Sequence, residues 1–245
     1  MARTLTLAYG LVVYLFFFVT FCYAIGFVGN FVVPKGIDQG AADASTNAVL
    51  INVALLSLFA LQHTIMARPR FKQWWCRIVP TPVERSTFVL LASAILALLM
   101  WQWRPMPGVI WELSGSARGV VLGVSLSGWL LVLYATFVID HFDLFGLRQV
   151  WLHWRGTEYK HPPYMERSVY RFIRHPIMAG FIVAFWAAPT MSQGRLLFAV
   201  VTTAYILVAI RIEERDLVGF LGDVYRDYQR RTPMLIPFPR RGTRA

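Results

Sequence analysis

Apolar residues in this chain are gathered into long runs instead of being spread at amphipathic spacing. The first run, residues 5–33, reads LTLAYGLVVYLFFFVTFCYAIGFVGNFVV, and others cover 48–67, 86–103 and 119–139. Each approaches or exceeds the roughly 20 residues with which an α-helix crosses a hydrocarbon core. The first is too long and continuous for the apolar region of a secretory signal, about 7–15 residues, so it reads as a retained span. From Pro176 to Ile210 the pattern changes, because Pro189 and the polar Thr190, Ser192, Gln193 and Gly194 split the apolar stretch into two arms. The expected fold is all-α: a polytopic integral membrane helical bundle of five to six spans, with a C-terminal helical hairpin over 176–212.

Beyond the hairpin, Leu217, Leu221, Val224 and Tyr228 fall on one stripe at i, i+4, i+7 and i+11, which predicts an amphipathic helix on the membrane surface. Asp223 with Arg226, and Asp227 with Arg230 and Arg231, add opposite-charge pairs worth a few tenths of a kcal/mol each. Pro233 ends the helix, since proline lacks the backbone donor and clashes with the preceding turn. With no internal repeat or low-complexity linker, residues 1–245 read as a single membrane domain. A four-span bundle occupies 1–140, and 141–245, which includes the hairpin, is the C-terminal part expected to bind a cofactor.

Composition agrees. The chain is 57% hydrophobic, with a mean hydropathy of +0.51, whereas soluble domains run at about 45–50% apolar. A net charge of +11 suits either nucleic acid or an anionic membrane face, and position decides between them. Of 24 Lys and Arg, 20 fall in Arg3, the loops 68–85 and 140–174, and the segment from Arg211, leaving Lys35, Arg104, Arg118 and Arg195 opposite. The positive-inside rule then puts both termini in the cytoplasm, makes the lipid bilayer the partner and removes nucleic acid. Cys22 and Cys76 have neither disulfide nor metal-ligand spacing, and no metal is expected.

Ionisable side chains within lipid are costly and mark candidate function. Asn52 and His63 project about 20° apart on an ideal helix, with Gln62 adjoining; they either glue helices together or line a cavity. A sharper group is Arg174-His175-Pro176-Ile177-Met178-Ala179-Gly180 at the mouth of the hairpin, with Glu213-Glu214 where the hairpin returns. Pro176 suits a first helical turn, and Gly180 permits a close approach to the backbone. If the helix ran unbroken from Leu196, Glu214, Tyr225 and Tyr228 would lie within roughly 60° of one another, with Gly219 and Gly222 as the points of interruption.

Ser168 through Gly180, followed by Glu213-Glu214, Leu217, Gly222, Tyr225, Tyr228 and Pro233, resembles the isoprenylcysteine carboxyl methyltransferase superfamily over about 168–237. The runs from Gln62 to Arg68, from Glu84 to Ser86, from His141 to Gln149 and from Pro233 to Pro237 are similar to the bacterial methanethiol S-methyltransferase branch, which lies close to NnrU-type membrane proteins. Met178 departs from the tyrosine usual in carboxyl methyltransferases, which argues against a prenylcysteine contact there. The resemblance implies a bacterial inner-membrane enzyme that moves a methyl group from S-adenosyl-L-methionine to a small thiol, methanethiol, giving dimethyl sulfide.

On that reading the cofactor is held by Arg171, Arg174, His175, Pro176, Gly180, Glu213, Glu214, Tyr225 and Tyr228. The glutamates supply acceptors and the basic groups donors, while Tyr225, Tyr228 or Trp186 offers a π face to the sulfonium. Because the thiolate is the nucleophile, His141, Asp143, Arg148 and His63 are candidate catalytic groups. Each also has a plain structural reading: His141 at a helix end, Asp143 paired with Arg148, and His63 satisfied between helices. A soluble dinucleotide-type fold is excluded by the lack of a Gly-rich strand-to-helix fingerprint. Three alternatives stay open: a lipid or isoprenylcysteine acceptor, a haem or quinone protein using His63 and His175, and a non-catalytic NnrU-like transporter or assembly factor.

Overall fold

In the computed structural model, which describes residues 2–40 and 45–237, the chain forms two compact units. One comprises Met1–Glu112, Asp140–Pro162 and Thr190–Phe198, and the other Leu113–Ile139, Pro163–Pro189 and Ala199–Ala245. Five helices are long and apolar enough to cross a membrane: α1 (Ala2–Gly29), α2 (Ser45–Met66), α4 (Thr81–Gln102), α5 (Gly115–Ile139) and α9 (Gln193–Leu221). This is the expected all-α polytopic bundle.

In the first unit α1 packs on α4 and on α7 (Leu147–Arg155), and α2 packs on α4. Its core gathers Val13, Met66, Phe88 and Val89, flanked by Phe17, Phe71, Trp75 and Phe145. The short helix α3 (Pro69–Trp75) starts at a proline, where the missing N–H costs nothing. Asn52, fully buried, accepts from Arg104 N at 2.9 Å and donates to Arg104 O at 2.8 Å. It therefore ties α2 to the residues beyond the end of α4. Nearby, Arg195 Nε lies 3.2 Å from Asp38, which also accepts from Asn30 and Ser192.

A two-stranded ribbon was not expected: β1 (Val109–Glu112) pairs antiparallel with β2 (Thr190–Ser192). Of the polar residues that interrupt the hairpin, Thr190 and Ser192 thus form a strand while Gln193 and Gly194 open α9, with backbone partners in β1 and, for Gln193 N, in Gly108 O.

In the second unit α5 packs on α8 (Pro176–Trp186). A Cβ added to Gly128 would stand 2.7 Å from Gly180 O and from Ala184 N, and one on Gly180 would stand 2.7 Å from Gly128 O. The two backbones touch, as at small-residue crossings in membranes, so the close approach expected at Gly180 is made by a helix. With 11 residues, α8 is about 16 Å long, roughly half a hydrocarbon core, while α9 has 29. The hairpin therefore has one short arm and one long arm.

The helix α9 runs unbroken through Glu214 and stops at Leu221. Gly222 then takes a positive φ of 60°, which glycine adopts freely, and α10 (Asp223–Arg231) starts in a new direction. The single stripe expected from Leu217 to Tyr228 is corrected accordingly: Leu217 and Leu221 belong to α9, Val224 and Tyr228 to α10.

Candidate functional site

Glu214 is the centre of the polar cluster in the second unit. Pro176 opens α8 and His175 is its N-cap residue. The backbone N–H groups of Arg174 and His175 donate to Pro233 O and Met234 O at 2.9 and 3.1 Å, so the segment after α10 fixes the start of α8. From there Arg174 Nε reaches Glu214 Oε1 at 2.6 Å, and His175 Nε2 lies 3.0 Å from the same oxygen. Gln229 Nε2 donates to Glu214 Oε2 at 2.9 Å, and Tyr225 Oη donates to Oε1 at 3.5 Å. Arg174 Nη1 donates to the carbonyls of Gln229 and Thr232. The side chains are buried, with 7% exposure for Arg174, 6% for His175 and 13% for Glu214. One carboxylate thus joins the start of α8, the end of α9 and α10 through charge-assisted bonds.

Around this hub, Glu213 is half-exposed, its carboxylate 3.9 Å from His175 Nδ1. Tyr164, Tyr225 and Tyr228 form an edge-to-face triad with ring centroids 5.8–6.3 Å apart. The Tyr164 hydroxyl donates to Glu166 at 3.2 Å, Arg231 lies 2.7 Å from Glu166, and the Tyr228 hydroxyl donates to Tyr170 O. Burial first, and then neighbouring carboxylates, push the phenols of Tyr164, Tyr170 and Tyr225 up, and Tyr228 to about 12. All four are neutral donors at physiological pH. Arg171 is exposed, and its Nε donates to Glu166 O at 3.3 Å. Trp186 donates to Thr203 at 2.9 Å from the far end of α8.

In the first unit His141 opens α6 (His141–Leu144), and the cap is Asp140, which accepts from Asp143 N. His141 Nε2 lies 2.9 Å from the Tyr14 hydroxyl. Burial lowers its pKa against the opposing charge of Asp140, which keeps the imidazole neutral at pH 7. Asp143 pairs with Arg148 at 3.1 Å and accepts from the Tyr159 hydroxyl at 3.2 Å. Burial, with Asp143 beside it, pushes that phenol to about 12. His63 stands apart on α2, stacked on Phe59 and tilted against Phe88, with Nδ1 buried and unpartnered.

Arg174, His175, Glu214, Tyr225 and Tyr228 are therefore gathered in one cluster, with Glu213 and Arg171 at its edge. Pro176 and Gly180 set the position of α8. Sequence reasoning missed Gln229, Tyr164, Tyr170 and Glu166 here, and Tyr14 and Tyr159 in the first unit. Gln229 lies 15 residues beyond Glu214 across the Gly222 break, so no helical period connects them. Tyr164 and Glu166 sit in a loop whose aromatic content reads as membrane anchoring.

The methanethiol S-methyltransferase of Mycobacterium tuberculosis is 54% identical over 244 residues, covering 99% of this chain and 100% of that protein. Methanethiol S-methyltransferase 2 of Bradyrhizobium diazoefficiens is 52% identical over 244 residues, 99% of this chain and 94% of that protein. Nurim of Homo sapiens is 32% identical over 175 residues, 68% of this chain and 66% of its own. No family model and no solved structure matches the chain.

Proposed function

Because the chain belongs to the methanethiol S-methyltransferase family, we propose that it methylates methanethiol from S-adenosylmethionine, with the Glu214 cluster holding the donor. The observation that carries this is the meeting of Arg174 and His175 with Glu214, 40 and 39 residues further along the sequence, in one buried hydrogen-bonded group.

The donor set fits that cofactor. Arg174 keeps its Nη2 group without an acceptor among the described residues, since its bonds there use only Nε and Nη1. A carboxylate would satisfy it. Exposed Arg171 adds a second cation, half-exposed Glu213 an acceptor for hydroxyl or ammonium groups, and the tyrosine triad a neutral π face for a cation. Arg174, His175 and Tyr225 all meet Glu214 at Oε1 and Gln229 meets it at Oε2, so its first part is to hold Arg174 and His175 in place.

S-Adenosylmethionine, when bound, supplies a methyl group on a sulfonium, and its transfer forms the carbon–sulfur bond of dimethyl sulfide while the sulfonium carbon–sulfur bond breaks to give S-adenosylhomocysteine. The protein's task is to position the groups and exclude water. For the acceptor side, His141, Asp143, Arg148 and His63 remain the candidates. Neutral His141 is able to accept a proton, whereas Asp143 is committed to Arg148 and Tyr159. The charge asymmetry of the loops supports a place in the bacterial inner membrane with both termini cytoplasmic.

Headspace gas chromatography on detergent-purified protein given S-adenosylmethionine and methanethiol tests this, with Glu214→Ala and His175→Ala alongside. Dimethyl sulfide from wild type and its collapse in both variants is expected. Donor binding without product would remove methanethiol as the acceptor, and absence of donor binding would remove the enzyme reading.

A further inference from the structure

The first unit contains a cation whose role in the fold is incomplete. Arg85 lies near the start of α4; its Nε donates to Leu144 O at 2.7 Å, and its Cζ stands 5.0 Å from the centre of the Phe88 ring. Neither terminal nitrogen has an acceptor among the described residues, and none of their carboxylates lies within ion-pair distance. Asp143 and Glu84 are within electrostatic reach, but Asp143 is paired with Arg148. Lys72, on α3, is also within electrostatic reach of Arg85 and Glu84. Among the described residues near them, Glu84 is thus the carboxylate that Arg85 and Lys72 share.

The group beside Arg85 is also unsatisfied. His63 packs against the same Phe88 ring at 5.1 Å, and its Nδ1 is buried without a partner. The indole N–H of Trp75, a side chain packed on the Met66 and Phe88 core, is likewise buried and unpartnered. Such groups cost about 1–3 kcal/mol each when left alone, and native structures keep few of them without a ligand, water or functional reason. Phe88 itself belongs to an apolar core with Val13, Met66 and Val89, against which Phe145 packs. A ligand suited to this surround carries a negative charge on a small, weakly hydrated and largely apolar body.

We propose that Arg85, with His63 beside it on Phe88, binds the acceptor thiol as its thiolate. This rests on the thiol-methylating reading above. The thiol S–H bond breaks with its proton passing to solvent water, and the sulfur keeps the electron pair with which it forms the new bond to carbon. The guanidinium supplies the countercharge, so Arg85 touches substrate without taking the proton; Lys72 raises the local positive potential. Other charged or titratable groups facing this end of α4 are Arg68 and His63 from α2 and its end, Asp143 and Tyr159 from the segment after α5, and Tyr9 from α1, which is hydrogen-bonded to Thr87.

The test uses full-length protein in detergent, as wild type, Arg85→Lys and Arg85→Gln. For Arg85→Gln the expected result is a rise of about tenfold or more in the thiol KM, the scale of a lost charge-assisted contact. Affinity for S-adenosylhomocysteine should stay unchanged, and the acid limb of kcat/KM should move to higher pH. Arg85→Lys should recover most of the loss. In ultraviolet difference spectra with S-adenosylhomocysteine present, methanethiol should show a thiolate band at neutral pH with wild type and not with Arg85→Gln.

A folded Arg85→Gln with wild-type thiol KM and pH profile overturns the proposal, as does inorganic phosphate or an anionic phospholipid vesicle occupying the site without displacing thiol. Failure of the wild type to make any dimethyl sulfide would overturn the reaction itself, a result distinct from an active wild type with an indifferent Arg85.

Discussion

Replacing Glu214 with alanine removes the acceptor shared by Arg174, His175, Gln229 and Tyr225 while leaving the Arg174 cation in a site only 7% exposed. Deleting one member of a buried ion pair costs about 3–5 kcal/mol. Two features reduce that here: Arg174 retains the carbonyls of Gln229 and Thr232, and the Glu214 side chain is 13% exposed. A loss of about 2–4 kcal/mol remains, which at about 2–4 °C per kcal/mol for a chain of this size is a fall in Tm of roughly 4–16 °C. Glu214→Gln keeps an oxygen for Arg174 and should lose about half as much, while Glu213→Gln, at a half-exposed position, should stay within about 0.5 kcal/mol. Thermal unfolding in detergent, followed by tryptophan fluorescence, gives the stability, and titration calorimetry with S-adenosylmethionine gives donor affinity. Both should fall together, because one carboxylate fixes α8, α9 and α10. A Glu214→Ala protein that melts with wild type and binds the donor undiminished would refute the account of the cluster.

Alanine at Gly128 should destabilise by about 1–3 kcal/mol through overpacking, whereas alanine at Gly123, which has open space, should not; melting temperatures of the two separate packing from helix propensity. Asn52→Leu leaves the Arg104 N–H and C=O unpaired and should cost about 2–4 kcal/mol, read by the same melts. The His141 pKa is lowered on folding, so its contribution is fully present above the ordinary value of about 6.5 and is lost as pH falls below it. The wild-type Tm should therefore drop more than that of His141→Asn between pH 7.5 and 5.5, and equal slopes would contradict this. Cys76, exposed and set in the basic loop, should react with a membrane-impermeant maleimide only from the cytoplasmic side; labelling from outside would invert the topology.

The long apolar runs made four spans legible, since lipid demands an uninterrupted apolar helix of fixed length. Their ends were less so: the run at 86–103 becomes a helix from Thr81, because Pro82 and Glu84 start a helix without adding to hydropathy. The short arm α8 was legible from Pro176 and the break at Pro189, but the ribbon escaped, as backbone pairing between Val109 and Ser192 leaves no trace in local pattern. Arg174, His175 and Glu214 were legible through motif spacing, while Gln229, Tyr164 and Tyr14 acquire their roles only through contacts set by tertiary structure. Arg85 was visible as part of a motif, but its lack of an ion-paired acid among the described residues became readable only with the neighbours in place.

The seam between α5 and α8 has a consequence for what can enter sideways from the bilayer. Where Gly128 and Gly180 put main chain against main chain, there is no gap wide enough for an acyl or prenyl tail to slide through. Chain-bearing molecules are turned away along that line, and any inhibitor designed with a long lipid anchor has to find another doorway.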